Sequence, residues 1–165
     1  MNIFFLDKTP ERSAEMLCDK HVPKMLLESS QMLSTAVQQY TGRNENLYKP
    51  AYGKHPMTIW VGNNRANFEW ALEHAFKIEK EYEMRFKKVH KSGRILSEIY
   101  FNGLHHNIPT GYDMECYKLT TPPQCMPDKY RDKDYVSAYR KYYIGEKEPF
   151  AKWAKGRPAP EWWTV

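Results

Sequence analysis

Between Asn64 and about His90, apolar residues return every three or four positions: Phe68, Leu72, Ala75, Phe76, Tyr82, Phe86 and Val89. That spacing lines one side of a helix with 3.6 residues per turn, so it predicts a long core-facing helix, stopped by Ser92-Gly93. Other helices are signalled around it. Thr9-Pro10-Glu11 reads as a helix start, because Thr9 can cap and Pro10 lacks the N–H that a first turn would leave unpaired. This helix is expected to reach about Cys18. Asp19-Lys20-His21-Val22-Pro23 restarts a longer one that runs to about Tyr40 and stops at Thr41-Gly42. Residues 57–60, residues 94–101 and a last helix capped by Asp132, through Tyr143 and ended by Gly145, complete the set. Only residues 3–6 read as a short strand or an extended apolar arm. The expected fold is mainly α: a single compact helical domain over residues 1–165. A long loop over residues 102–129 holds four of the eleven prolines, and an aromatic and basic C-terminal tail closes the chain.

A chain of 165 residues is long enough for one core and too short for two. No apolar run approaches the roughly 18–20 residues that a membrane helix needs. Asp7 interrupts the apolar start and no small-residue cleavage site follows, so no signal peptide is expected. Three cysteines, Cys18, Cys116 and Cys125, make an odd count without C-x-x-C spacing, which argues against a disulfide framework and a structural zinc site. The expectation is a reduced, cytoplasmic monomer. Aromatics make up 15% of the chain, with twelve Tyr and five Trp, and the formal charge is +5. This balance suits a polyanion whose bases can stack. It equally suits a small domain that enlarges its core with rings.

The most informative stretch is the second helix. His21, Lys24, Glu28, Gln31, Thr35 and Gln38 step by three and four along one face, while Met25, Met32, Leu33, Ala36, Val37 and Tyr40 cover the other. An amphipathic helix with a solvated face explains the pattern. So does a compact acid/base set, since a His, a Lys and a Glu on successive turns can tune one another. Lys24 reads either as the i,i+4 ion-pair partner of Glu28 or, if burial lowers its pKa, as an imine-forming amine.

Asp19-Lys20-His21 with Glu28 seven residues after the His resembles the N-terminal helix of the T-even phage pyrimidine-dimer DNA glycosylase (endonuclease V) family. Pro56 with Phe68-Glu69-Trp70-Ala71-Leu72 is similar to that family's Pro-started helix and central aromatic pair. Pro160-Glu161-Trp162-Trp163 is similar to its C-terminal Pro-x-aromatic-aromatic ending. The resemblance implies base-excision chemistry. The α-amine at the chain start attacks the sugar C1′, displaces the base and forms an imine, and a lyase step then cuts the strand. It implies the carboxylate role for Glu28, strand contact for His21 and the nucleophile at the N-terminal amine. An α-amine titrating near pH 8 makes such an attack accessible. The chain also departs from the family pattern. Asn2 favours retention of Met1, Ile3 and Gln31 stand where the family has arginines, and the segment before the His is about five residues longer.

In the tail, cations interleave with rings. Lys152, Lys155 and Arg157 are the expected phosphate contacts, and Trp162 and Trp163 the expected stacking surface or core rings. Arg65, at the start of the long helix, is a further substrate contact, beside helix N–H groups that could hold an anion. His55 reads as a helix-entry polar group. His105-His106 with Asp113 and Glu115 lack the fixed spacing of a metal motif, so neither metal nor cofactor is expected. Together these features point to a DNA glycosylase, with or without lyase activity, acting on a damaged or modified pyrimidine in duplex DNA. The alternatives are a nucleic-acid binder without catalysis, and an N-glycosidase or binder of small nucleotides.

Overall fold

The computed structural model describes residues 1–43, 45–110 and 117–164. Among them the chain is all-helical, with six α-helices and no strand: α1 (Pro10–Glu15), α2 (His21–Thr41), α3 (Pro56–Asn63), α4 (Arg65–Phe86), α5 (Ser92–Phe101) and α6 (Tyr135–Lys147). Short 3₁₀ turns occupy Leu104–Asn107 and Asp128–Tyr130. No helix among the described residues is long and apolar enough to cross a membrane.

The two long helices form the frame. α2 packs against α4 and α3, and α1 lies on α4. Phe68, Leu72, Ala75 and Ile78 turn into the core from α4, as do Met25, Met32, Leu33, Ala36 and Val37 from α2. Two positions of the expected stripes fall outside. Tyr40 is largely exposed, its hydroxyl donating to the Gly62 carbonyl, and Val89 is 80% exposed because α4 ends before it. The chain turns away there through Lys87, which takes the left-handed conformation as a C-cap.

Residues 3–6 are the extended arm and not a strand. Ile3, Phe4, Phe5 and Leu6 are all buried. Side chains satisfy much of the arm's backbone in place of a ladder. Ser13 Oγ accepts from the Leu6 N–H and donates to the Phe4 carbonyl, and Arg140 donates to the Leu6 carbonyl. Phe5 meets the rings of Trp60, Trp70, Tyr135 and Tyr139, so the arm is a central core element.

Several boundaries differ from the expected ones. α1 stops at Glu15, and Ser92-Gly93 opens α5 where it was expected to end α4. The last helix is capped by Asp134, which accepts from the Ser137 N–H three residues on, and not by Asp132. Gly145 lies inside that helix. A Cβ there would sit 2.4 Å from the Tyr130 hydroxyl, so glycine serves close packing and does not stop the helix. Part of the 102–129 loop, residues 111–116, lies outside the described residues. The described part is pinned: Asn67 donates to and accepts from Thr120, and Trp60 donates to the Thr120 carbonyl.

Candidate active site

The buried arm brings the chain start onto the polar face of α2. Asn2 is held from three sides. Its side-chain oxygen accepts from the Ile3 N–H at 2.9 Å and lies 3.1 Å from the Tyr139 hydroxyl, while its amide nitrogen donates to the Cys125 carbonyl at 3.0 Å. The Asn2 backbone N–H then donates to Glu28 Oε2 at 3.0 Å. The Met1 amino nitrogen lies 3.7 Å from the same oxygen. Met1 is itself anchored, with its side chain only 2% exposed and its sulfur accepting from the Thr58 hydroxyl. The residue as a whole is half-buried, so what it shows to solvent is its main chain. On the other oxygen of Glu28 stands Lys24 Nζ, 4.0 Å away.

One turn before Lys24, His21 is buried and enclosed by rings. Phe4 stacks on it at 5.0 Å, and Tyr143 and Phe150 meet it edge-on. The Tyr143 hydroxyl accepts from the Cys18 N–H and lies 2.7 Å from His21 Nδ1. The tautomer in which Tyr143 donates to Nδ1 carries the ring proton on Nε2. Burial, reinforced by Lys147, Lys24 and Lys20, pulls the His21 pKa down to about 3. The imidazole is therefore a neutral donor at pH 7 and not a cation.

Met1, Asn2, Phe4, His21, Lys24, Met25, Glu28, Cys125, Tyr142 and Lys147 enclose a cavity of about 180 Å³. Lys147 stands over the Phe4 and Tyr142 rings, and Lys20 over Phe150. Neither ammonium makes an ion pair with a described residue, and Lys147 lines the cavity that holds Glu28. Cys125 also forms part of a second, larger concavity of about 1190 Å³, lined by His55, Pro56, residues 122–125 and residues 131–133. His55 caps α3 by accepting from the Met57 N–H. Its pKa is lowered by burial and by the Met1 amine, against an opposing pull from Glu28, so it belongs to the same electrostatic neighbourhood. Burial pushes the Cys125 thiol up, which keeps it protonated at neutral pH.

Of the residues singled out in the sequence, Met1, His21, Lys24 and Glu28 converge on this cavity. Lys24 is 61% exposed and ion-paired to Glu28, so it stands in the solvated i,i+4 pair and not in a buried setting. Gln31 is half-buried one turn beyond Glu28 and makes no side-chain hydrogen bond with a described residue. Arg65 is committed elsewhere. Its guanidinium donates to the carbonyls of His106 and Ile108, and its N–H to that of Pro109. Asn64 takes the Asn67 N–H, so the start of α4 is closed by its own chain and offers no open anion site.

The tail residues lie outside the cavity lining. Arg157 is bound to Glu81 and Glu15, and Glu81 also holds Arg85, which reaches Asp19. Trp162 donates to the Met16 sulfur, and both Trp162 and Trp163 meet Tyr143 edge-on. Lys155 stands over the Phe86 ring, and Lys152 is exposed two residues beyond Phe150. Asn2, His55, Cys125, Tyr142 and Lys147 are the neighbours the sequence did not reveal. Among the described residues no group of His, Cys, Asp and Glu could hold a metal ion; Asp113 and Glu115 lie outside them. Comparison with protein-family models, with curated proteins and with solved structures finds no match.

Proposed function

We propose that the chain is a DNA glycosylase with lyase activity in which the Met1 amino group is the nucleophile and Glu28 the partner carboxylate. The observation that carries this is the 3.7 Å approach of the amine to Glu28 Oε2, inside a cavity that His21, Lys24 and Lys147 also line. Unprotonated, the amine attacks C1′ of the damaged nucleotide. The glycosidic bond breaks, and its electron pair leaves with the base, which takes up a proton. Glu28 accepts the proton that the attacking nitrogen sheds and passes it to O4′, which leaves with the C1′–O4′ electron pair, so the sugar ring opens and a protonated imine remains. Removal of a C2′ proton then expels the 3′ phosphate with the C3′–O electron pair. The anionic Glu28 also stabilises the cationic sugar and imine. His21 Nε2–H, Lys24 and Lys147 are the donors for sugar and phosphate oxygens. A neutral His21 makes this contact by hydrogen bonding, not by charge.

An enclosed mononucleotide fits this site poorly, because 180 Å³ is well below the roughly 300–1,000 Å³ of small-ligand pockets. A polymer whose sugar alone enters the cavity suits it better. The test is borohydride reduction during incubation with ultraviolet-irradiated and abasic duplexes, with base release followed in parallel. A covalent protein–DNA adduct and base release from the irradiated duplex are expected. Absence of the adduct overturns the proposal, whether or not base is released.

A further inference from the structure

We propose that the groove lined by His55, Pro122, Pro123, Arg131 and Lys133 holds the DNA strand that flanks the reacting sugar. This rests on DNA being the substrate of the Met1–Glu28 site. A cavity of about 180 Å³ is smaller than ordinary small-ligand pockets, which leaves the flanking strand outside it, and Cys125 forms a wall common to the cavity and the groove. His55 links the two electrostatically, since it feels both the Met1 amine and Glu28. Its Nδ1 is occupied by the Met57 N–H, which leaves Nε2–H as a donor for a phosphate oxygen.

The groove is built before any strand arrives. Gln124 donates to the Asp132 carbonyl and accepts from the Asp132 N–H, which ties one wall to the other. The Tyr139 hydroxyl lies 2.8 Å from the Pro123 carbonyl and fastens the first wall to α6. Such rigidity removes the ordering cost that a loose loop would add on binding. The charges are also in the right state. Lys133 is exposed and makes no ion pair with a described residue. Among the described residues Arg131 pairs with Asp128 alone, which is 89% exposed, a contact easily exchanged for a phosphate. Among the described residues of the lining the one carboxylate, Asp132, is paired with Lys141. The groove therefore offers two cations and one neutral donor beside the site, whereas Arg157 in the tail is held by Glu81 and Glu15.

The test is salt-dependent fluorescence anisotropy on a short duplex carrying a tetrahydrofuran abasic analogue, which binds without reacting. In the Arg131→Glu/Lys133→Glu double variant, affinity should fall at least about tenfold, and the slope of log K against log salt should flatten by about two. Lys133→Ala alone should flatten it by about one and serves if the double variant folds poorly. Lys155→Glu, on the tail, should leave the slope unchanged. An unaltered slope in both groove variants overturns the proposal, as does a loss confined to Lys155→Glu. Borohydride trapping on an abasic duplex separates this from failure of the enzymatic reading. Trapping by the wild type with groove-insensitive binding removes the groove alone, and groove-dependent binding without any trapping removes the chemistry alone.

Discussion

The pocket at the chain start and the C-terminal tail both set cations beside rings, yet the charges are used differently. In the tail Arg157 is locked between Glu81 and Glu15, Lys155 lies over Phe86, and the Trp162–Trp163 pair packs on Tyr143. Around the chain start Lys20 and, from the end of α6, Lys147 rest on rings without an ion pair to a described residue, and Glu28 faces the Met1 amine. Rings and cations that find carboxylates become a clasp that holds the fold. Those that leave a lone carboxylate facing an amine make a site. Composition therefore shows that a segment carries charge, while the partners it meets decide what that charge does.

The sharpest way to break this contrast is Glu28→Gln. Its loss should lower imine formation by about 10²–10⁴-fold, as removal of a proton-transfer group does, while binding to the unreactive abasic duplex changes less than about twofold. Full activity in single-turnover trapping would remove Glu28 from the chemistry. On the clasp side, Arg85→Ala should cost about 3–5 kcal/mol by urea denaturation, because it removes a wholly buried guanidinium that donates to the Leu17 and Glu15 carbonyls and pairs with Asp19 and Glu81. Arg157→Ala should cost less, about 1–3 kcal/mol, since Arg157 is partly exposed and Glu81 keeps Arg85. Both variants should keep the wild-type salt dependence of DNA binding, measured by anisotropy.

Acid titration sharpens the comparison further. Burial holds His21 and His74 at about 3, against an ordinary value of 6.5. Above pH 6.5 both histidines are neutral whether the chain is folded or not, so their environments cost nothing. As pH falls below 6.5 the unfolded chain takes up protons that the folded one refuses. Stability should then decline by up to about 1.4 kcal/mol per pH unit for each histidine, until pH nears 3. Neither ring nitrogen of His74 has a hydrogen-bond partner among the described residues, so His74→Leu should halve the decline with little loss at pH 7.5. Thermal melts from pH 7.5 to 4.5 measure both. The smallest effect is expected of Lys155→Ala, within about 0.5 kcal/mol and with unaltered trapping.

Much of the helical frame was legible in the sequence, because α2 and α4 carry apolar residues at helical spacing over five or more turns. Boundaries were less so. Asp132 and Asp134 are equal caps on paper, and Ser137 at the right offset decides between them. Gly145 looks like a stop until Tyr130 is seen against it. In the candidate site, His21, Lys24 and Glu28 could be paired by spacing alone because one helix carries them. Asn2, Cys125 and Lys147 could not, since they reach Glu28 only through the buried arm, the loop before α6 and the end of α6. His55 was read as a helix-entry group, which it is; its proximity to the Met1 amine is a property of the tertiary fold. Arg157 was assigned to phosphate because nothing in its local sequence announces Glu81, 76 positions away.

The most direct test of the central claim is to locate the reduced adduct. Protein whose first residue has been verified by intact mass is incubated with an abasic duplex and borohydride, digested, and mapped by mass spectrometry. The account predicts the deoxyribose remnant on the α-nitrogen of Met1. An adduct on the side chain of Lys24, or base release with no adduct at all, would contradict it.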